Sequence, residues 1–267
     1  AGDDAPDVRE LVNLSDIQMK TYPELLNEAG YSVGLLNPLS IWPPLKFDDG
    51  FCVSGMLTPP NTDRWVFPKS LEKELEALDY RIDVQHGDRP YGFVDDSLFD
   101  EVDLSTLHTD MFGVLDARIE ATKQMLRDRP TDYFYVLLKS VDIIQHCFWV
   151  HMENGHPEYE NAILESYRRV DDLLGWILTE LDANHLVFSD HGFQARQEGA
   201  PGPLGAAASY VDERFSVPDS VQSLYNRVFK SPADVAMDRP DQTSGVHANP
   251  GAWLASGPDI SAAERSR

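Results

Sequence analysis

Residues 132–142 read Asp132-Tyr-Phe-Tyr-Val-Leu-Leu-Lys-Ser-Val-Asp142, and residues 185–190 read His185-Leu-Val-Phe-Ser-Asp190. In each, a nearly unbroken apolar run ends on an aspartate. Short runs of this kind, rich in aromatic and branched residues, are expected of strands covered on both faces. Ahead of the first lies Leu104 to Arg129, where Leu107, Met111, Val114, Leu115, Ile119 and Met125 recur at helical spacing. Arg127 and Arg129 suit the negative pole of that helix, and Pro130 closes it. A second helix is expected over Tyr159 to Leu181, between the two strands, and a third strand over Trp253 to Ser256. Helix and buried strand therefore alternate. The expected fold is α/β, with an open, largely parallel sheet covered by helices.

Upstream, Thr21 to Ala29 reads as a helix stopped by Gly30, and Tyr31 to Leu36 as a strand. Pro38, Pro43 and Pro44 mark a loop before the apolar stretch Phe51-Cys-Val-Ser-Gly-Met-Leu-Thr-Pro-Pro60. A helix over Pro68 to Tyr80 and a short strand Tyr80-Arg-Ile-Asp-Val84 follow. Residues 1–9 are acidic and read as loose. Residues of about 194–245 are rich in Gly, Pro, Ala and Asp, and only Val221 to Phe229 looks helical. That stretch reads as an irregular insertion or cap within a single domain over 1–267.

The 45 acidic residues against 22 Lys and Arg give a formal charge of −23. Such a surface lacks the clustered cations that a nucleic-acid backbone or an anionic membrane requires. Lysine is scarce, at Lys20, Lys46, Lys69, Lys73, Lys123, Lys139 and Lys230. This balance suggests a salt-adapted, haloarchaeal-type cytoplasmic protein, held compact when salt screens its self-repulsion. Cys52 and Cys147 show no metal-type spacing and read as buried thiols. No apolar run approaches the ~20 residues of a membrane helix.

Three segments offer metal-binding side chains. In Val141-Asp-Ile-Ile-Gln-His-Cys-Phe-Trp149, Asp142 and His146 are four apart and share one face if a helical turn begins there. In Ser189-Asp-His-Gly-Phe193, Asp190 and His191 end a strand and Gly192 permits a sharp turn. Carboxyl ends of strands are where open α/β sheets hold ligands. In Gly245-Val-His-Ala-Asn-Pro250, His247 precedes an apolar strand. Each pattern alone has a bland reading, as a surface pair, a polar turn or a loop histidine. His86, His108 and His185 lack any partner pattern and read as structural, while His151 and His156 fall in a polar loop after the first motif and read as surface histidines, with approach to the site as the alternative.

Order and context change the weighing. Asp-x-x-x-His, then Asp-His-Gly about 45 residues on, then a histidine before a strand ending in Gly-Pro, resembles the alkaline phosphatase superfamily. The closest branch is the type I phosphodiesterase/nucleotide pyrophosphatase group, especially prokaryotic phosphohydrolase/phosphomutase members. The segment Asp48 to Pro60 and the pair Phe148-Trp149 share in the resemblance. It implies an alkaline phosphatase-like three-layer αβα sandwich and a metal-dependent phosphohydrolase acting on phosphate mono- or diesters. It also implies two divalent ions, Zn2+ or Mn2+, one held by Asp142, His146 and His247 and the other by Asp190 and His191 with further groups. Mixed carboxylate and imidazole donors suit those metals. Lys139 and Trp149 are candidate substrate-binding residues for a small phosphorylated substrate.

The sequence also departs from that pattern. The family's first aspartate and its nucleophile precede the segments seen here, and no matching strand occurs in residues 1–20. Thr58 is a weak substitute, because its context matches a later loop. The catalytic nucleophile is therefore unassigned, the chain reads as truncated, and little turnover is expected of it alone. The alternative reading is an inactive metal-binding remnant, or a half-domain completed by another segment.

Overall fold

Val33–Leu36 forms β1, whose four residues are all buried. It pairs in parallel with β2 (Gly50–Val53) and with β6 (Tyr133–Val136), placing Val33 beside both Gly50 and Tyr133. β3 (Val66–Phe67) adds antiparallel to β2, giving the order β3-β2-β1-β6. Gly50 is required where it stands. Its φ is +134°, and a Cβ there would lie 2.0 Å from the carbonyl oxygen of Val33. The computed structural model describes residues 14–56, 58–59, 62–86, 89–90, 103–195 and 245–260. These fall into two compact units, residues 14–140 and residues 141–195 with 245–260. The sequence readings at 1–9 and 221–229, and nearly all of the cap, lie outside the described residues.

In the first unit the alternation along β1 supplies two apolar faces. Leu36 joins Phe51, Val53, Val66, Leu71 and Leu75, with Ala121 and Met125 of helix α3 (Leu104–Asp128). Leu71 ends a 3-10 turn (Lys69–Leu71), and Leu75 lies in α2 (Glu72–Glu76). On the other face Val33, Leu35, Leu45, Phe47 and Cys52 cluster, with Leu26 of α1 (Tyr22–Glu28) packed against them. A fully buried Leu or Phe contributes about 1.5–3 kcal/mol. The helix ends have local causes. The Glu24 carboxylate accepts from the backbone N–H and hydroxyl of Thr21, at 2.8 and 2.7 Å, and Asp103 accepts from the Thr106 N–H at the start of α3.

Two expectations fail in this unit. Tyr80 to Val84 is not a strand. The guanidinium of buried Arg118 on α3 donates to the carbonyls of Arg81 and Ile82, so those acceptors are taken by a helix side chain instead of a neighbouring strand. The apolar run from Tyr133 stops being a strand at Val136. Two short strands, β4 (Gln85–His86) and β5 (Arg89–Pro90), pair separately.

The second unit holds α4 (Ser140–Glu153, its first residue belonging to the first unit) and α5 (Ala162–Glu180). It also holds two antiparallel ribbons. β7 (His185–Ser189) pairs with β10 (Ala252–Ser256), and β8 (Gly192–Ala195) pairs with β9 (Gly245–Ala248). β7 and β10 were expected to be buried on both faces. Instead Phe188 is 58% and Trp253 75% exposed. Among the described residues these strands pair only with each other, and Leu186 and Leu254 are exposed as well.

Candidate metal centre

The first turn of α4 carries Asp142, and one turn later the same face carries His146. Asp142 is therefore a helix residue, not a strand end, in the turn where the helix dipole favours a carboxylate. Its Oδ1 stands 3.0 Å from His247 Nε2, 3.6 Å from His146 Nε2 and 3.8 Å from His191 Nε2. His146 Nε2 and His247 Nε2 are 3.0 Å apart, and the His191 ring stacks on the His247 ring at 3.6 Å between centroids. Three segments far apart in sequence deliver these groups: α4, the turn after β7, and β9. His247 lies in β9, a strand absent from the sequence reading, and precedes the expected apolar strand, β10.

Backbone carbonyls orient two of the rings. His146 Nδ1–H donates to the Gly245 carbonyl at 2.9 Å, and His191 Nδ1–H to the Gly192 carbonyl at 3.1 Å. A carbonyl only accepts, so each Nδ1 carries a proton, and each Nε2 faces the cluster as the atom that would meet a metal. Gly245 suits this contact because a Cβ would lie 2.4 Å from the Gln145 carbonyl oxygen. Burial pushes the His146 imidazole below its usual range, opposed by the Asp142 charge and the Gly245 carbonyl. A neutral imidazole is the form that binds metals. Next to it, burial pushes the Cys147 thiol up to about 12, so it does not supply a thiolate.

The donor set fits a divalent cation. Donors at about 2.0–2.2 Å from one tetrahedral ion stand roughly 3.3–3.6 Å from one another. The three separations from Asp142 Oδ1 and that between His146 and His247, 3.0 to 3.8 Å, bracket that spacing. Asp142, His191 and His247 each present a donor atom within 4.8 Å of the others. Asp190 is peripheral: its side chain is 86% exposed and its Oδ1 lies 3.5 Å from His191 Nε2.

The sequence profile of the family described as type I phosphodiesterase / nucleotide pyrophosphatase matches residues 40–251, a span that includes all five of these side chains. The chain belongs to this family. No curated protein and no solved structure matches it. As a type I phosphodiesterase family member it carries the framework of a hydrolase of phosphoester bonds that depends on divalent metal.

Other candidates have defined surroundings. Lys139 Nζ pairs with buried Asp83 at 3.2 Å, which accounts for its partial burial. The Thr58 hydroxyl is buried and donates to the Gly55 carbonyl at 2.6 Å. Trp149 stacks on Phe193, with ring centroids 6.0 Å apart, and its Nε1 is buried without a hydrogen-bond partner among the described residues. His151 and His156 pack against each other and Tyr159. Two parts of the centre escaped the sequence reading, the Gly245 carbonyl and the Phe193 ring. Gly192 stood in its motif only as a turn residue, and Gly245 stood in its segment without a role.

Proposed function

We propose that this chain is a metal-dependent hydrolase of phosphate mono- or diesters, with Zn2+ or Mn2+ held by Asp142, His146, His191, His247 and Asp190. The observation that carries the reading is the approach of three imidazole nitrogens to one carboxylate oxygen, at 3.0 to 3.8 Å from Asp142 Oδ1. A division into two ions gives one to Asp142, His146 and His247 and the other to Asp190 and His191. The position of His191 Nε2, 3.8 Å from Asp142 and 3.5 Å from Asp190, supports neighbouring sites that share a wall. When bound, such ions supply charge stabilisation for in-line displacement at phosphorus. The chain's own part is to hold the neutral imidazoles in their tautomers through Gly192 and Gly245, and to place one carboxylate at the start of α4. The substrate proposed is a small phosphorylated molecule, met in a salt-rich cytoplasm. The nucleophile is not assigned, since the hydroxyl of Thr58 is engaged by Gly55.

The test is metal analysis of the purified chain in molar KCl, with hydrolysis of p-nitrophenyl phosphate and bis-p-nitrophenyl phosphate under added Zn2+ or Mn2+. Retained metal and metal-dependent hydrolysis, both lost in Asp142→Asn, are expected. Bound metal without turnover selects a second reading, a metal-binding domain whose nucleophile comes from another segment. A chain that retains no metal overturns both.

A further inference from the structure

The side chain of histidine is under-determined by its own chemistry. Its second torsion is broad and roughly two-fold, so the direction of the ring nitrogens is set by neighbours. His146 and His191 each have a backbone carbonyl on Nδ1 to fix them. Among the described residues His247 has no such anchor: its hydrogen-bond contacts, to Asp142 and His146, both run through Nε2. Beyond those contacts and the His191 ring stacked on it, ring packing is left to set its Nδ1 edge.

Phe193 is placed to do so. It is the residue directly opposite His247 in the β8–β9 register. Side chains so paired share a face and lie close enough to touch. Their ring centroids are 5.2 Å apart at 74°, an edge-to-face arrangement. The same phenyl ring meets His146 at 4.8 Å and 72°, and His191 at 5.7 Å. Among the described residues it also meets Trp149 on α4, stacked at 21°. One phenyl ring thus touches all three imidazoles of the centre and ties the ribbon to the helix that carries Asp142 and His146. A two-stranded ribbon is marginal by itself, and a one-residue slip in register would carry His247 to the opposite face. The Phe193–His247 pair opposes both.

We propose that Phe193 is a positioning residue of this centre, which acts by fixing the ring of His247 and the register that delivers it. The inference rests on the metal-binding reading above and adds a residue without any donor atom to it.

The test measures metal affinity of the whole chain by competition with a chromophoric chelator, together with the visible spectrum of the Co2+ form. The variants are Phe193→Ala, Phe193→Leu, Phe193→Tyr and His247→Ala, and the double variant Phe193→Ala/His247→Ala. Partners outside the ligand set commonly carry 10–100-fold in metal affinity. Phe193→Ala and Phe193→Leu are therefore expected to weaken binding about 10–100-fold and alter the Co2+ spectrum, while Phe193→Tyr, which keeps the flat ring, restores both. In the His247→Ala background, Phe193→Ala should change affinity by no more than about twofold, the ordinary error of additivity. Phe193→Leu keeps apolar volume at this position, so it reads the ring itself should the alanine variant unfold. Unchanged affinity and spectrum in Phe193→Leu overturn the proposal, and so does an undiminished loss in the His247→Ala background. A wild-type chain that binds no metal overturns the underlying reading instead, which separates the two failures.

Discussion

Asp142→Asn probes the centre at its hub. Asp142 is the neighbour shared by three imidazole nitrogens, at 3.0, 3.6 and 3.8 Å, and among the described residues the only carboxylate so placed, because Asp190 points largely into solvent. Asparagine keeps the shape and one acceptor oxygen for His247. In metal-free protein the loss of charge assistance to the His247 hydrogen bond costs about 1 kcal/mol. With metal the effect is larger. Residues outside the ligand set commonly carry 10–100-fold in affinity, so loss of a direct donor should reach at least about 100-fold. At zinc 100-fold above the wild-type Kd, binding adds about 2.7 kcal/mol of stability; a variant 100-fold weaker gains only about 0.4 kcal/mol at the same zinc. The difference, about 2.3 kcal/mol, is about 5 °C or more in Tm for a chain of this size. The assay is thermal denaturation of both proteins in molar KCl, with zinc and with EDTA. A zinc-induced shift of the same size in wild type and Asp142→Asn would refute the assignment of this carboxylate as a ligand.

Gly50→Ala should cost at least about 2 kcal/mol in chemical denaturation, since both the φ of +134° and the 2.0 Å approach to the Val33 carbonyl oppose a side chain; a change within about 0.5 kcal/mol contradicts the described β1–β2 junction. Cys52 and Cys147 are both buried, with thiols pushed up to about 12. Neither should react with a thiol reagent at pH 8 until the chain is unfolded, and a full equivalent reacting under native conditions would be inconsistent with that burial. Stability should rise with salt, because the reach of repulsion at −23 net charge shrinks from about 10 Å at 0.1 M to about 3 Å at 1 M ionic strength. A Tm that is flat or falling between dilute and molar KCl tells against it.

What the sequence revealed was local. Helices α1 and α3 and strand β1 were legible because periodicity, caps and breakers lie within the segments themselves. The end of β6 was not. Its apolar run continues past Val136, yet the strand stops because its partner does. Leu137 N–H makes a last bond to the Leu36 carbonyl, and Asn37 then turns away at φ 61°. Chain with no neighbour to pair with was free to start a helix at Ser140, which moved Asp142 from a strand end into a helical turn. Tyr80 to Val84 failed as a strand for a similar reason, since the side chain claiming its carbonyls belongs to Arg118, more than thirty residues on.

The centre divides along the same line. The residue types that bind metal were visible in the three motifs, because carboxylates and imidazoles at short spacing are a local signal. The groups that aim them were not, because they are backbone oxygens and a phenyl ring brought in by pairing. His146 is turned by the carbonyl of Gly245, 99 residues away, and His247 faces Phe193 only because β8 and β9 meet in one register. A carbonyl has no residue type and so leaves no trace in a motif. What can be read is its consequence, a glycine where any Cβ would strike the neighbouring backbone. Gly245 is thus the readable mark of an orienting contact: the absent side chain is what lets the ribbon approach α4 closely enough for its carbonyl to hold His146 by Nδ1 and leave Nε2 for the cluster.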